Sequence, residues 1–508
     1  MFKKINNQLF FFIIPLILGI ISSFSLPPYN FLILNFITFP FLFIFIVSNF
    51  YQSKLRLFLI GWMFGFGYFV SNIYWIINSL TFEEIFLPLI PVAFFLIPLF
   101  LGLFYGLITF VCSFLNLEKD YKSILIFALI FSLVEFIRGN ILGGFPWNLI
   151  AYSWLEYTSF IQILSIIGTY SFNLLSITLF LLPVLVFFKG IQFSKILVII
   201  FSLVLVCTNI FFGKNILNKY HEKQLIDLDT SIKVISPKIE INRFFQNEDP
   251  NVIINELIEL SEPEEEKKTL FIFPEGILTN IYLEDLNIYR ETFKNNFSEN
   301  HKIILGINSK NDLKIYNSLV VLDNNLNILG IYKKNKLVPF GEFLPLENIF
   351  SKFGLKKITQ GYQSFSKDDK RKILEINNSK FLPLICYEII YSGNLNQSGE
   401  KFNFILNISE DGWFGNTIGP HQHFSHSIFR SIEEGKNLVR SANNGISAYI
   451  NPIGQIVSKV ESTEKGTFEI KNFKMISKTI FAKHGNKIFF YFLLFYITLI
   501  FFLKKKGS

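Results

Sequence analysis

Eight long runs of uncharged, mostly apolar residues constrain this chain more than any other feature, because a water-soluble fold has no interior for so many. A bilayer-spanning helix needs about 20 such residues. The runs lie near 8–26, 31–50, 57–79, 92–115, 121–138, 162–188 and 193–212, with the eighth at 486–503. Between the last two, residues 214–485 mix charged, polar and apolar residues in the manner of an ordinary globular protein. With 51% hydrophobic residues and 63 Phe among 508, the composition departs from that of soluble domains. The expected organisation is a seven-span bundle over 1–213, a globular domain over 214–485, a last span over 486–503 and a basic tail over 504–508. A domain of roughly 270 residues can bury its own core.

Residues 2–4, "FKK", precede the first run in the manner of a secretory signal. That run is long and is followed at once by others, so it reads as an anchor. The fourth run begins among Pro88, Pro91 and Pro98, and its start is expected along the interface. Orientation follows from Lys and Arg in the short loops. They fall at Lys3 and Lys4, Lys54 and Arg56, Lys119 and Lys122, Lys189 and Lys195, then Lys504 to Lys506, while "SLPPYN" and "TFEEIF" carry none. This alternation puts both termini in the cytoplasm and, with seven preceding spans, residues 214–485 outside.

The net charge of +8 does not indicate nucleic acid, since much of it flanks apolar runs and no Arg-rich face interleaves with aromatics. Glu135 and Arg138 end the fifth run in "VEFIRGN". Ionisable groups there are costly, and their i, i+3 spacing lets them pair on one face. The plain expectation is an ion pair orienting the helix end, and the alternative is a lipid head-group contact. The "LGGFPWN" loop that follows suits a tight interfacial turn with an aromatic anchor. Cys112 and Cys207 lie inside apolar runs and should pack as small hydrophobes. Cys386 is then alone in an outer domain, where a lone thiol is a liability unless buried or useful.

From 231 onward, "SIKVIS", "TLFIFPEG", "KIILGINS", "NSLVVLD", "FLPLICYE", "FNFILNIS" and "ISAYINPIG" read as strands bounded by Gly, Pro, Asn or Asp. Helical candidates at 251–264, 284–298 and 420–437 alternate with them, which predicts an α/β layered domain with buried sheets. Three polar residues stand at strand ends or in loops. Glu275 follows "TLFIFP", Lys334 lies in "GIYKKNKLVPFGEF" upstream of a turn ending at Glu342, and Cys386 closes "FLPLI". Singly, each has a plain reading as a solvated carboxylate, a surface charge or a core thiol. Together they are a complete set for acyl chemistry: a thiolate nucleophile, a carboxylate to take its proton, and an ammonium to stabilise the oxyanion.

The series "FPEG", "YKKNKLVPFGEFLP", "LICYE", "DGWFG" and "RSANNGISAYINPIGQ" resembles the nitrilase-related carbon–nitrogen hydrolase superfamily. With seven leading spans, one trailing span and "EFIRG…FPWN" in the membrane part, it resembles the bacterial apolipoprotein N-acyltransferase family over nearly the whole chain. The resemblance implies a transmembrane bundle of about eight spans joined to a nitrilase-like αββα sandwich in the bacterial inner membrane, with the catalytic domain periplasmic. It implies Glu275 as general base, Cys386 as nucleophile and, among the competing Lys333, Lys334 and Lys336, Lys334 as oxyanion stabiliser. Glu342 is implied as a supporting carboxylate that holds the lysine or assists proton transfer. Tyr387, Glu388, Trp413 and Phe414 match family positions around the nucleophile and the "WFG" loop. The implied reaction is ping-pong without a cofactor. An acyl chain passes from a phospholipid, typically phosphatidylethanolamine, to a Cys386 thioester, and then to the α-amine of a lipoprotein's diacylglyceryl-cysteine.

Two departures stand out. Where the family commonly shows a run like Asn–Ile–Pro–Gln followed by Trp, this chain reads "VISPKIEINRFF", with Phe244 or Phe245 in the Trp place. "KKNK" replaces a more usual histidine near the lysine. His421, His423 and His426 in "HQHFSH" raise a zinc reading. On a helix, however, 421 and 423 point about 200° apart, and no carboxylate or cysteine completes a set. A membrane-tethered amidase or hydrolase would use the same triad with water as acceptor. A transporter or ligand sensor is disfavoured by the few ionisable groups and the lack of paired repeats in the apolar runs.

Overall fold

The computed structural model describes residues 8–188, 192–246, 248–312, 314–345, 364–393, 395–396 and 399–504. Lys3, Lys4, Lys189 and residues 505–508 of the basic tail lie outside the described residues. The chain divides into two compact units. One comprises Met1–Ile77, Pro88–Asn218 and Thr479–Ser508, the other Asn78–Leu87 and Lys219–Lys478.

In the first unit, helices form at all eight apolar runs: Gln8–Ser23, Asn35–Ser48, Lys54–Ile73, Ile90–Cys112, Tyr121–Arg138, Leu164–Leu181, Gln192–His221 and Lys487–Lys504. Among the described residues, Lys54–Leu80, Glu84–Cys112, Leu164–Phe187 and Lys195–His221 are long and apolar enough to cross a membrane. Leu9–Ser23, Leu32–Ser48 and Lys487–Leu503 are apolar but shorter. Polar caps set where helices begin, with Ser53 accepting from Arg56 N and Asp120 from Ser123 N. Small residues allow two helices to touch backbone to backbone. A Cβ on Gly19 would lie 2.0 Å from the Phe64 carbonyl oxygen, and one on Gly67 would lie 2.2 Å from that of Leu16. Phe39, Phe64, Tyr68, Tyr105 and Phe131 fill the interior as neighbouring rings. Cys112 is buried, whereas Cys207 is exposed on Gln192–His221.

The second unit holds two six-stranded sheets. Its strands are β1 Ile226–Ser236, β2 Thr269–Ile272, β3 His301–Asn311, β4 Lys314–Leu322, β5 Ile328–Lys333, β6 Leu374–Ile376, β7 Ser379–Ile385, β8 Phe404–Glu410, β9 Asn437–Asn443, β10 Ser447–Ile450, β11 Ile456–Val460 and β12 Gly466–Phe473. The sheet orders are β12-β1-β2-β3-β4-β5 and β11-β10-β9-β8-β7-β6. In each sheet three consecutive strands run parallel, β1–β2–β3 and β7–β8–β9. The sheets face one another: Ser441 Oγ on β9 donates to Ile235 O on β1, and Phe404 on β8 packs on Phe473 of β12. Helices cover the outer sides. Pro250–Ser261 sets Ile253, Ile254 and Leu257 in one cluster with Phe271, Ile303, Leu305 and Val320, while Gly419–Glu434 packs against β9 and β10. This is the nitrilase-like α/β arrangement with two sheets. All seven strands read from the sequence form, as β1, β2, β3, β4, β7, β8 and β10.

Candidate active site

Strand direction gathers the polar residues. β5 is antiparallel to β4, which is antiparallel to β3, so β2, β3 and β5 end on the same side. Glu275 follows β2, Lys334 follows β5, Cys386 follows β7, and Glu410 ends β8. The two sheets meet here, where Glu410 N donates to Glu275 Oε2 at 2.9 Å.

Lys334 is 1% exposed. Its Nζ donates to Glu275 Oε1 at 3.2 Å and to Glu342 Oε1 at 2.9 Å. Asn317 Nδ2 bridges the same two oxygens at 2.7 and 2.8 Å, and Val338 N donates to Glu342 Oε2. Burial opposes the ammonium charge, but Glu275 and Glu342 outweigh it and hold the Lys334 pKa well above the usual lysine value. Of the neighbouring lysines, Lys333 lies over the Tyr316 ring at 3.9 Å and Lys336 over Tyr391 at 5.6 Å.

Cys386 is buried and stands at φ 49, a left-handed conformation uncommon outside glycine. Burial pushes its thiol pKa well up and the Glu275 charge adds to this, while Lys334 acts the other way. The resting group is therefore a thiol, and a base must remove its proton before it can attack.

Glu388 is fully buried and fully paired. It accepts from Tyr332 Oη at 2.8 Å, from Asn335 N and Lys336 N at 2.9 and 3.1 Å, and from Ile385 N at 2.8 Å, with Arg371 Nη2 at 3.5 Å. It thus ties the backbone just after Lys334 to the backbone just before Cys386. Tyr387 is buried against Tyr391, ring centroids 5.5 Å apart. Trp413 packs against Phe82, Phe244 and Phe245 at 5.7, 5.1 and 6.2 Å, so both phenylalanines of "INRFF" meet the Trp413 ring. Phe414 lies edge-on to His423 at 5.5 Å.

In the other unit, Glu135 and Arg138 pair at 3.2 Å and are both buried. Glu135 also accepts from Tyr105 Oη at 2.8 Å and Asn173 Nδ2 at 2.6 Å, and Arg138 donates to Phe145 O. The histidines do not gather: His423 turns to Asp411 at 2.9 Å. Among the described residues no group of three or more His, Cys, Asp or Glu is arranged to hold a metal ion.

Several partners escaped the sequence reading. Asn317, Tyr332, Arg371 and the buried Arg243–Glu410 pair lie far along the chain from the groups they hold. Asp411 and Arg440 stood inside quoted motifs, which was the available signal for them.

Two facing sheets that gather a cysteine, a lysine and carboxylates at their parallel strand ends define a carbon–nitrogen hydrolase-type domain. Residues 261–471 match the family described as carbon-nitrogen hydrolase, and residues 18–182 match the apolipoprotein N-acyltransferase N-terminal domain. Relatives extend over nearly the whole chain. It is 32% identical over 489 residues to the apolipoprotein N-acyltransferase of Rickettsia prowazekii, covering 93% of this chain and 94% of that one. It is 30% identical to that of Brucella melitensis (87% and 86%) and 29% identical to that of Rhodopseudomonas palustris (93% and 91%). The chain belongs to the apolipoprotein N-acyltransferase family.

Proposed function

We propose that this chain moves an acyl chain from a membrane phospholipid, through a thioester on Cys386, to the N-terminal α-amine of diacylglyceryl-cysteine in apolipoproteins. The reading is carried by one observation: a buried cysteine beside a lysine and two carboxylates, in a chain related along its length to apolipoprotein N-acyltransferases. Glu275 takes the Sγ proton, and the thiolate attacks the ester carbonyl of the donor. The oxyanion forms against Lys334, whose raised pKa keeps it charged. Collapse breaks the ester C–O bond, and the lysophospholipid oxygen leaves with the proton held by Glu275. In the second half the lipoprotein amine attacks the thioester, Glu275 accepts the amine proton, and the Cys386 thiolate departs. Glu342 and Asn317 hold Lys334 and Glu275 in register throughout.

The reading extends to topology. Eight spans in the bacterial inner membrane, cytoplasmic termini and a periplasmic residue 214–485 domain put Cys386 on the side where diacylglyceryl lipoproteins emerge, with phosphatidylethanolamine as donor. The test is intact-protein mass spectrometry after incubation with phosphatidylethanolamine and no acceptor. The expected result is a gain of one acyl chain, released by neutral hydroxylamine and absent in Cys386→Ala. Discharge by a diacylglyceryl-cysteine peptide but not by water supports the transferase. Discharge by water alone moves the reading to a membrane-tethered hydrolase, and no adduct with any phospholipid overturns it.

A further inference from the structure

A second buried network, used in none of the steps above, converges on Cys386. Ser409 follows Ile408 on β8, which pairs with Ile385 immediately before Cys386, and this places its hydroxyl beside the Cys386 thiol. The same hydroxyl donates to Asp411 Oδ1 at 2.6 Å. Asp411 Oδ1 also meets His423 Nδ1 at 2.9 Å, and Asp411 Oδ2 accepts from Arg440 Nη2 at 2.8 Å. The His423 ring also lies against the main chain of Cys386. Arg440 bonds Asn407 through its other terminal nitrogen, and Asn407 Nδ2 donates to Leu384 O in the strand that carries Cys386. Ser409, Asp411, His423 and Arg440 are all fully buried.

We propose that Ser409 is a hydrogen-bond donor to the Cys386 thiolate, and that Asp411, His423 and Arg440 are positioning residues which hold Ser409 and the left-handed Cys386 backbone in place. A hydroxyl has a single proton, which at rest it gives to Asp411. When Cys386 ionises, that proton swings to Sγ, and Asp411 keeps its contacts with His423 and Arg440. The carboxylate is therefore never left bare in a buried site, so the swing costs little. The same donor serves the thiolate when it leaves the thioester in the second half-reaction. The His423 contact answers a different need, since a non-glycine residue at φ 49 persists only where its surroundings fix it. Around the thiol the charged groups are Glu275, Lys334 and Asp411, and around His423 they are Asp411 and Arg440. Removing the Ser409 hydroxyl removes none of these charges, although Asp411 gives up one of its hydrogen bonds.

This inference rests on the acyl-transfer reading only for the substrate assay, so the test uses two readouts on the full chain, the first in phospholipid-free detergent and the second in phosphatidylethanolamine nanodiscs. One is the rate of Cys386 alkylation by iodoacetamide against pH, followed on the Cys386 peptide. The other is the rate of acyl-enzyme formation. Ser409→Ala is expected to raise the midpoint of the alkylation profile by about one unit and to slow acylation about 10-fold. His423→Ala is expected to slow acylation about 100-fold through misplacement, with KM for the phospholipid unchanged. His423→Gln, which keeps a hydrogen-bonding side chain, is expected to recover about 10-fold of that loss. Ser409→Ala decides the matter even if His423→Ala does not fold. An unmoved alkylation midpoint in Ser409→Ala overturns the proposal, whatever the lipid assay shows. A shifted midpoint in a protein that takes no acyl group from any phospholipid leaves the network standing and removes the acyl-transfer reading instead.

Discussion

Lys334 Nζ lies within 3.2 Å of two carboxylate oxygens, while Lys333 beside it on the chain points to the Tyr316 ring. Removing the first cation leaves Glu275 and Glu342 facing each other in a buried site, which costs about 3–5 kcal/mol. Lys334→Ala is therefore expected to lower stability by that order and acyl-enzyme formation by about 10²–10³-fold. Lys333→Ala gives up one half-exposed ring contact and should acylate at the wild-type rate. Glu275→Gln keeps the shape but not the base, so it should fold normally and lose about 10²–10⁴-fold in acylation. Single-turnover mass spectrometry with a thermal melt separates these cases, and an active Lys334→Ala sinks the assignment. Glu275 and Cys386 were legible in the sequence because each follows an apolar strand, whereas only the family resemblance singled out Lys334 from Lys333 and Lys336 before the Pro–Phe–Gly turn. Asn317 was not legible, since an asparagine at the edge of "NSLVVLD" reads as a strand boundary until folding brings it to two carboxylates 42 and 25 residues away.

At the scale of elements, β3 supports the loop that carries Glu275, and Gly306 sets how closely. A Cβ there would lie 2.5 Å from Glu275 Cα and 2.6 Å from the Pro274 carbonyl oxygen. Those are backbone atoms, which yield only if the loop moves. Gly306→Ala is expected to cost about 1–3 kcal/mol and, by shifting Glu275, to slow acylation about 100-fold. Gly330→Ala in β5 is the control, because its new Cβ would meet only side-chain methyls of Leu374 and Val321, at 3.5 Å or more. Equal activity of the two variants would show that the loop adapts freely. Strands like β3 were legible from their apolar runs, whereas β9 was not. Its sequence "NLVRSAN" buries Arg440, Ser441 and Asn443 with hydrogen-bond partners inside the protein, and an apolar pattern cannot reveal a strand whose buried side chains are polar. The helix read as 420–437 ends at Glu434 because Gly435 adopts the left-handed conformation that closes a helix.

For the whole molecule, apolar run length was enough to place eight helices, but where the loops lie needs two further arguments. One is charge: Lys54, Arg56, Lys119, Lys122 and Lys195 fall in alternate loops, and no Lys or Arg occurs between Arg138 and Phe188. The other comes from packing within the second unit, and the sequence held no sign of it. Asn78–Leu87, the loop between the third and fourth apolar runs, belongs to that unit. Asn78 Nδ2 donates to Trp413 O at 3.3 Å, and Phe82 packs on Phe245 and Trp413. A loop that packs with residues of the 219–478 segment must share its side of the bilayer, whichever side that is. On the proposed eight-span count, three spans would precede the loop and seven the domain, both odd numbers, which satisfies this condition, while losing one span between them breaks it. Alkaline phosphatase fused after Lys223 is therefore expected to be active, and fused after Lys119 inactive, with green fluorescent protein giving the reverse pattern. Equal phosphatase activity at the two positions would remove an odd number of spans from between them and, with it, the periplasmic placement of Cys386.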